Sequence, residues 1–178
     1  MFPPSIRESV WWSSLISDEP QLWRPDSLGG FKARIRFSIS GHSKSRLLVR
    51  IDELADGQGV GRFALLQRTR KGLSIKETRG RSFRVSSASM NLLHARIKEA
   101  TLWEGGPETQ WVHRDEGLIC IDGYQMIFES VDARGYRLSE ANAQCSAPSS
   151  LLALARHIID ASGDRSASKL IDHFGLNE

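Results

Sequence analysis

The sequence of 178 residues predicts a single α+β domain, a mainly antiparallel sheet of about 6–7 strands covered by two main helices. Three observations carry this expectation. Phe31, Ala33, Ile35, Phe37 and Ile39 alternate with Lys32, Arg34, Arg36 and Ser38, the period-two pattern of a strand with one apolar and one polar face. The extended stretches come in runs separated by turns, without β-α-β alternation, so antiparallel pairing is expected. Two stretches, residues 87–100 and 150–161, show apolar spacing of period 3.6.

The elements follow in chain order. Ser5-Ile6-Arg7-Glu8 fits a capping box, and Ile6, Val10, Trp11 and Leu15 recur at near-helical spacing, so residues 1–30 read as an N-terminal helix and a loop. The strand of residues 31–39 should bury its odd-numbered side chains and leave the other face wet. Leu47, Val49 and Ile51 form the returning strand. The glycine-rich Gly57-Gln58-Gly59-Val60-Gly61 reads as a hairpin loop, because no Lys-Ser/Thr follows and no helix opens there. Residues 62–70 and 73–85 form another strand pair, with Gly80 as the expected bulge or bend. Ser86 or Ser87 caps a helix whose inner face is Met90, Leu93, Ile97 and Ala100. Asp122-Gly123 between two apolar runs predicts a tight hairpin joining strands at 118–121 and 124–130, and a third strand opens at Tyr136. Pro148-Ser149-Ser150 starts the last main helix, with Leu151, Leu154, Ala155 and Ile158 inward and Gly163 just past its end. Residues 164–178 form a tail in which Leu170, Ile171 and Phe174 suggest one short helix.

Charge is lopsided. Residues 1–100 hold 18 Lys/Arg against 9 Asp/Glu, whereas residues 101–178 hold 6 against 12. The densest basic block, residues 62–84, is either a polyanion-binding face or the solvated side of a sheet neutralised by the acidic half; the second reading is preferred. Phe31, Phe37, Phe63 and Phe83 alternate with or adjoin charges, so they read as core rather than as stacking platforms for bases. Trp11, Trp12 and Trp23 include a candidate exposed anchor.

Catalytic patterns are not found. The histidines at 42, 94, 113, 157 and 173 are scattered, and no Gly-x-Ser-x-Gly or Cys/His pair is present, so no catalytic residue, cofactor or metal is expected. His113, Asp115, Glu116, Asp122 and Glu129 are the densest set of candidate metal ligands, but they do not match the EF-hand spacing, no His-x3-His lies on a helix, and a solvated acidic loop is the simpler reading. Cys120 and Cys145 are too few for a disulfide scaffold, and Cys120, between Ile119 and Ile121, reads as a buried thiol. Met1-Phe2-Pro3-Pro4 lacks a basic region and a long apolar stretch, and no apolar run reaches bilayer length, so a cytoplasmic protein without a membrane partner is expected.

Trp103-Glu104, then Asp122-Gly123-Tyr124 with Phe128-Glu129, then Gly135-Tyr136-Arg137, and finally Pro148 before a Leu-rich helix, together resemble a pattern found in small bacterial immunity proteins of polymorphic or contact-dependent toxin systems. The resemblance covers residues 87–163 and implies a protein partner, a cognate toxin, whose active site the chain would occlude; it implies no catalytic residues. The residues at the expected interface are Trp103, Glu104, Asp115, Glu116 and Asp122, acidic side chains around an aromatic anchor that would suit a basic partner. The alternative is a basic nucleic-acid-binding domain using residues 62–84.

Overall fold

The computed structural model describes residues 19–41, 45–68, 75–104, 108–110 and 123–164. The expected N-terminal helix, the turn at 70–72, the strand at 118–121 and the tail beyond 164 lie outside them.

Six strands form one antiparallel sheet: β1 (Ala33–Ser40), β2 (Ser45–Glu53), β3 (Gly59–Arg68), β4 (Ile75–Val85), β6 (Gln125–Asp132) and β7 (Gly135–Asn142). A short β5 (Glu108–Gln110) adds parallel to β7, giving the order β4-β3-β2-β1-β6-β7-β5. Strands β1 to β4 form a meander. Helix α1 (Ser87–Glu99) then carries the chain away, and β6 returns on the free side of β1; helix α2 (Ser149–Ala161) closes the described fold. The α+β expectation holds in class, strand number and helix positions.

The helices form where local chemistry asks for them. The Ser86 hydroxyl accepts the Ser89 N–H at 3.2 Å, capping α1, and Met90, Leu93 and Ile97 turn inward. At the other end Thr101 N–H donates to the Lys98 carbonyl and Leu102 N–H to the Ile97 carbonyl, a Schellman pair that brings the apolar Leu102 back beside Ile97. Both helices lie on one face of the sheet, over Ile35, Phe37, Ile39, Leu47, Val49, Ile51, Phe63, Met126 and Phe128. The rings of Phe37 and Phe128, cross-strand neighbours on β1 and β6, sit 4.8 Å apart and tilted. Burial of each such ring contributes about 1.5–3 kcal/mol.

The second face is not wet, which corrects the sequence expectation. Arg36 has no exposed surface. Its Nε and Nη2 donate to both oxygens of Glu129, its cross-strand neighbour on β6, at 2.6 and 2.7 Å. Its Nη1 donates to the Pro20 carbonyl at 2.8 Å and lies 3.6 Å from Glu19. The Tyr136 hydroxyl donates to the same Glu129 at 2.9 Å. Glu19 also accepts from Arg50 at 2.7 Å and Arg62 at 3.4 Å, and Arg62 reaches Glu77 at 2.6 Å. The segment before β1 is therefore laid across the sheet's charged face and held there by it. Leu22 is fully buried, and Trp23 and Tyr136 pack against the cluster of Ile127 and Leu138. Burial works against the Arg36 charge, but Glu129 outweighs it and raises the pKa; the same burial beside Glu129 pushes the Tyr136 phenol up. Burial also lowers Arg46, to about 10, against the attraction of Glu129.

Strand β6 pairs with β1 along one edge and with β7 along the other over all its length; the Asp122 turn and the strand expected at 118–121 lie outside the described residues. One local expectation is corrected. The β4 bulge falls at Thr78 rather than Gly80, since Leu65 pairs with Arg79 and Leu66 with Glu77. The Glu77 carboxylate lies over Gly80, where a Cβ would displace it. Cys145 is disulfide-bonded and no described cysteine is free; Cys120, expected as a buried thiol, lies outside the described residues.

Candidate functional site

A groove of about 360 Å³ opens on the helix-covered side, where the end of α1, the start of β1 and the β6–β7 hairpin meet. Its floor is Ala33, Ile35, Ile97, Leu102 and Val131, and its rim carries His94, Lys98, Thr101, Trp103, Glu104, Asp132, Arg134 and Arg137.

The Schellman ending of α1 sets one wall. It places Thr101 at φ 49°, a left-handed conformation that a β-branched side chain rarely adopts and that glycine occupies easily. Such strain costs on the order of 1 kcal/mol and collects at functional sites. The chain then turns, with Glu104 N–H donating to the Thr101 carbonyl at 3.1 Å, and leaves Trp103 half-buried against the core and Glu104 exposed.

The hairpin sets the opposite wall. Its two-residue turn, Ala133-Arg134, is folded by Asp132, whose Oδ1 accepts the Arg134 N–H at 2.8 Å. Asp132 Oδ2 accepts from Arg134 Nη2 at 2.9 Å and from Arg137 Nη2. Burial alone would raise the Asp132 carboxyl, but the hydrogen bonds from Arg134 and Arg137 prevail and hold it below the usual carboxylate value. Arg137 is fixed on three sides. Besides Asp132, its Nε donates to the Ser130 hydroxyl at 3.3 Å, and its guanidinium lies 5.6 Å from the centroid of the Trp103 ring. Behind the groove, the buried Glu53 carboxylate accepts from Lys32 at 2.6 Å and meets His94 Nε2 at 2.9 Å.

Of the expected interface residues, the structure brings Trp103 and Glu104 together on this groove. Asp115, Glu116 and Asp122 lie outside the described residues. Glu129, counted among candidate metal ligands, is bound on both oxygens by Arg36 and is not available to a cation. No cluster of metal-ligating side chains occurs among the described residues. Sequence reading missed Lys98, Asp132, Arg134 and Arg137. The Asp-x-Arg turn was visible as a loop, but its meeting with the end of α1 depends on β6 and β7 being carried beside β1. The described rim is thus mixed in sign rather than acidic.

A second cleft, of about 440 Å³, is lined by Arg50, Asp52, Val60, Gly61, Arg62, Ser82, Phe83 and Arg84 on the charged side of the sheet, near the β4 edge. Most of β4 is exposed, including Lys76, Arg81 and Arg84. Its Arg79 pairs with Asp164 at 2.9 Å, and Arg81 donates to the Gly163 carbonyl at 3.2 Å.

No protein-family model and no curated protein matches the chain. No helix among the described residues is long and apolar enough to cross a membrane.

Proposed function

We propose that the chain is a protein-binding protein of the immunity type, which neutralises a cognate toxin by docking over the Trp103 groove and occluding the toxin's active site. The observation that carries the reading is Trp103 itself. It is an aromatic ring half-buried at the mouth of an apolar-floored groove, with a guanidinium over it and a ring of charges around it. Aromatic and Arg anchors inside a polar rim are the composition of interface hot spots. The strained Thr101 beside it agrees with a site held in place at some cost to stability. The partner would meet charges of both signs, Glu104 and Asp132 against Lys98, Arg134 and Arg137. We place this action in the cytoplasm. The disulfide at Cys145 bears on that placement, because structural disulfides are rare where thiols are kept reduced.

The test is protection. Cells expressing the candidate toxin should grow only when this chain is co-expressed, and Trp103→Ala should abolish rescue while leaving the folded yield unchanged. Equal rescue by the variant would reject the groove as the docking site.

A second reading is favoured by the exposed basic strand β4, whose Lys76, Arg81 and Arg84 could track a phosphate backbone. A surface making six or more phosphate contacts would lose about 10³-fold or more in affinity between roughly 50 and 200 mM salt. Weak binding without that slope would remove this reading.

A further inference from the structure

We infer that the Trp103 groove is a carboxylate-recognition site, taking a carboxylate group on a short apolar stem with Arg137 as its principal ligand. The inference deepens the docking reading, on which it rests, by stating what the groove accepts. The chemistry has two sources, the free C-terminus of a peptide or a free carboxylic acid.

The argument begins with Arg137. Its side chain is largely buried, at 15% exposure, and Nε and Nη2 are held by Ser130 and Asp132 while Trp103 lies against the plane. The guanidinium is therefore fixed before any ligand arrives, which lowers the ordering cost of binding. Among the described residues Nη1 of Arg137, Nη1 of Arg134 and Nζ of Lys98 make no hydrogen bond, and all three side chains line the groove. Asp132 offsets one of the two guanidiniums it bridges, so with Lys98 the three cations keep a positive balance against it, which Glu104 reduces but does not reverse. What remains is a surplus of N–H donors over an apolar floor of Ile35, Ile97 and Leu102. A carboxylate would be received by charge-assisted hydrogen bonds at a partly desolvated site, where they are strong. The volume of about 360 Å³ lies at the small end of ligand pockets, enough for one aliphatic stem or one ring. Glu104 is the opposing charge. It is exposed, has no ion pair among the described residues, and should weaken an anionic ligand.

The experiment is calorimetric titration of the full chain with four probes: sodium octanoate, octanamide, acetyl-Ala-Ala-Leu with a free C-terminus, and the same peptide amidated. At least one carboxylate probe should bind, and its amide partner should bind about tenfold more weakly or not at all. Binding of the peptide acid alone assigns a protein C-terminus, and binding of octanoate alone assigns a free acid. Arg137→Gln should lose at least tenfold. Lys98→Gln, an exposed change with no partner to disturb, should lose a few-fold, and Glu104→Gln should gain a few-fold, whereas attraction of a basic toxin would weaken with the same substitution. Amides that bind as tightly as acids, no binding of any probe at millimolar concentration, or a Glu104→Gln protein with unchanged carboxylate affinity would each overturn the inference. Toxin protection that survives any of those results would leave the docking reading standing.

Discussion

Replacing Glu129 with Leu removes the carboxylate that holds Arg36 by two hydrogen bonds of 2.6 and 2.7 Å, with both side chains at most 1% exposed. Among the described residues the guanidinium keeps the Pro20 carbonyl at 2.8 Å and the Glu19 carboxylate at 3.6 Å. Breaking one partner of a buried ion pair costs about 3–5 kcal/mol, because the other charge stays buried without its bidentate counter-charge. The Tyr136 hydroxyl also loses its acceptor, a further cost of about 1–3 kcal/mol where it cannot reach water. The two overlap, so a total of about 4–5 kcal/mol is expected, roughly a quarter or more of the stability of an ordinary domain. Urea unfolding followed by circular dichroism measures it. The triple variant Arg36→Met, Glu129→Leu, Tyr136→Phe removes every member of the triad and should recover to within about 1–2 kcal/mol of the parent, since apolar packing replaces buried charge at little loss. A single Glu129→Leu cost below about 1 kcal/mol, or a triple variant less stable than the single one, would refute the account of the charged face as a buried, mutually dependent network.

Thr101→Gly should stabilise the chain by about 0.5–1 kcal/mol in the same unfolding assay, because glycine accepts φ 49° without a Cβ clash. An equal or larger loss would mean that the Thr101 side chain, not its backbone, matters there. Burial, then the nearby Arg96 charge, lowers the His157 pKa from 6.5, with Asp160 and a backbone hydrogen bond to Ser89 opposing. A base whose folded pKa is depressed contributes stability above its unfolded pKa and loses it as pH falls, so stability should decline below about pH 6.5 and His157→Gln should flatten that decline; an unchanged slope in chemical denaturation between pH 7 and 5 would contradict it. Protein thiol-blocked at lysis of its native host should run on a non-reducing gel as the reduced form, and a parallel unblocked sample purified in air should run as the oxidised form, as dioxygen closes the Cys145 disulfide. A disulfide already complete at lysis would place the chain in an oxidising compartment.

Local signals were legible where local physics decides the outcome. The cap at Ser86, the inward set Met90, Leu93 and Ile97, and the odd-numbered side chains of β1 all stand as the periodicity and capping chemistry require. The wet face failed because alternation reports polarity, not exposure. Arg36 is charged and yet buried, since Glu129 arrives from 93 residues away to neutralise it. The placement of β6 between β1 and β7 was not legible either: turn propensity is local, whereas the choice of strand neighbours is not. The groove was half legible. Trp103 and Glu104 were singled out from their place at a helix end, whereas Arg137, Arg134 and Asp132 join them only through sheet order, which no local pattern encodes.

The central claim is that docking happens at the Trp103 groove and not on the basic β4 edge. Association kinetics between the purified chain and the toxin that it protects against, measured for Trp103→Ala and for the double variant Arg81→Glu, Arg84→Glu, test it most directly. Dissociation should be at least about tenfold faster for Trp103→Ala, as expected of a hot-spot aromatic, and within about twofold of the parent for the β4 variant. Unchanged dissociation for Trp103→Ala together with lost binding for the β4 variant would contradict the claim and move the interface to the other edge of the sheet.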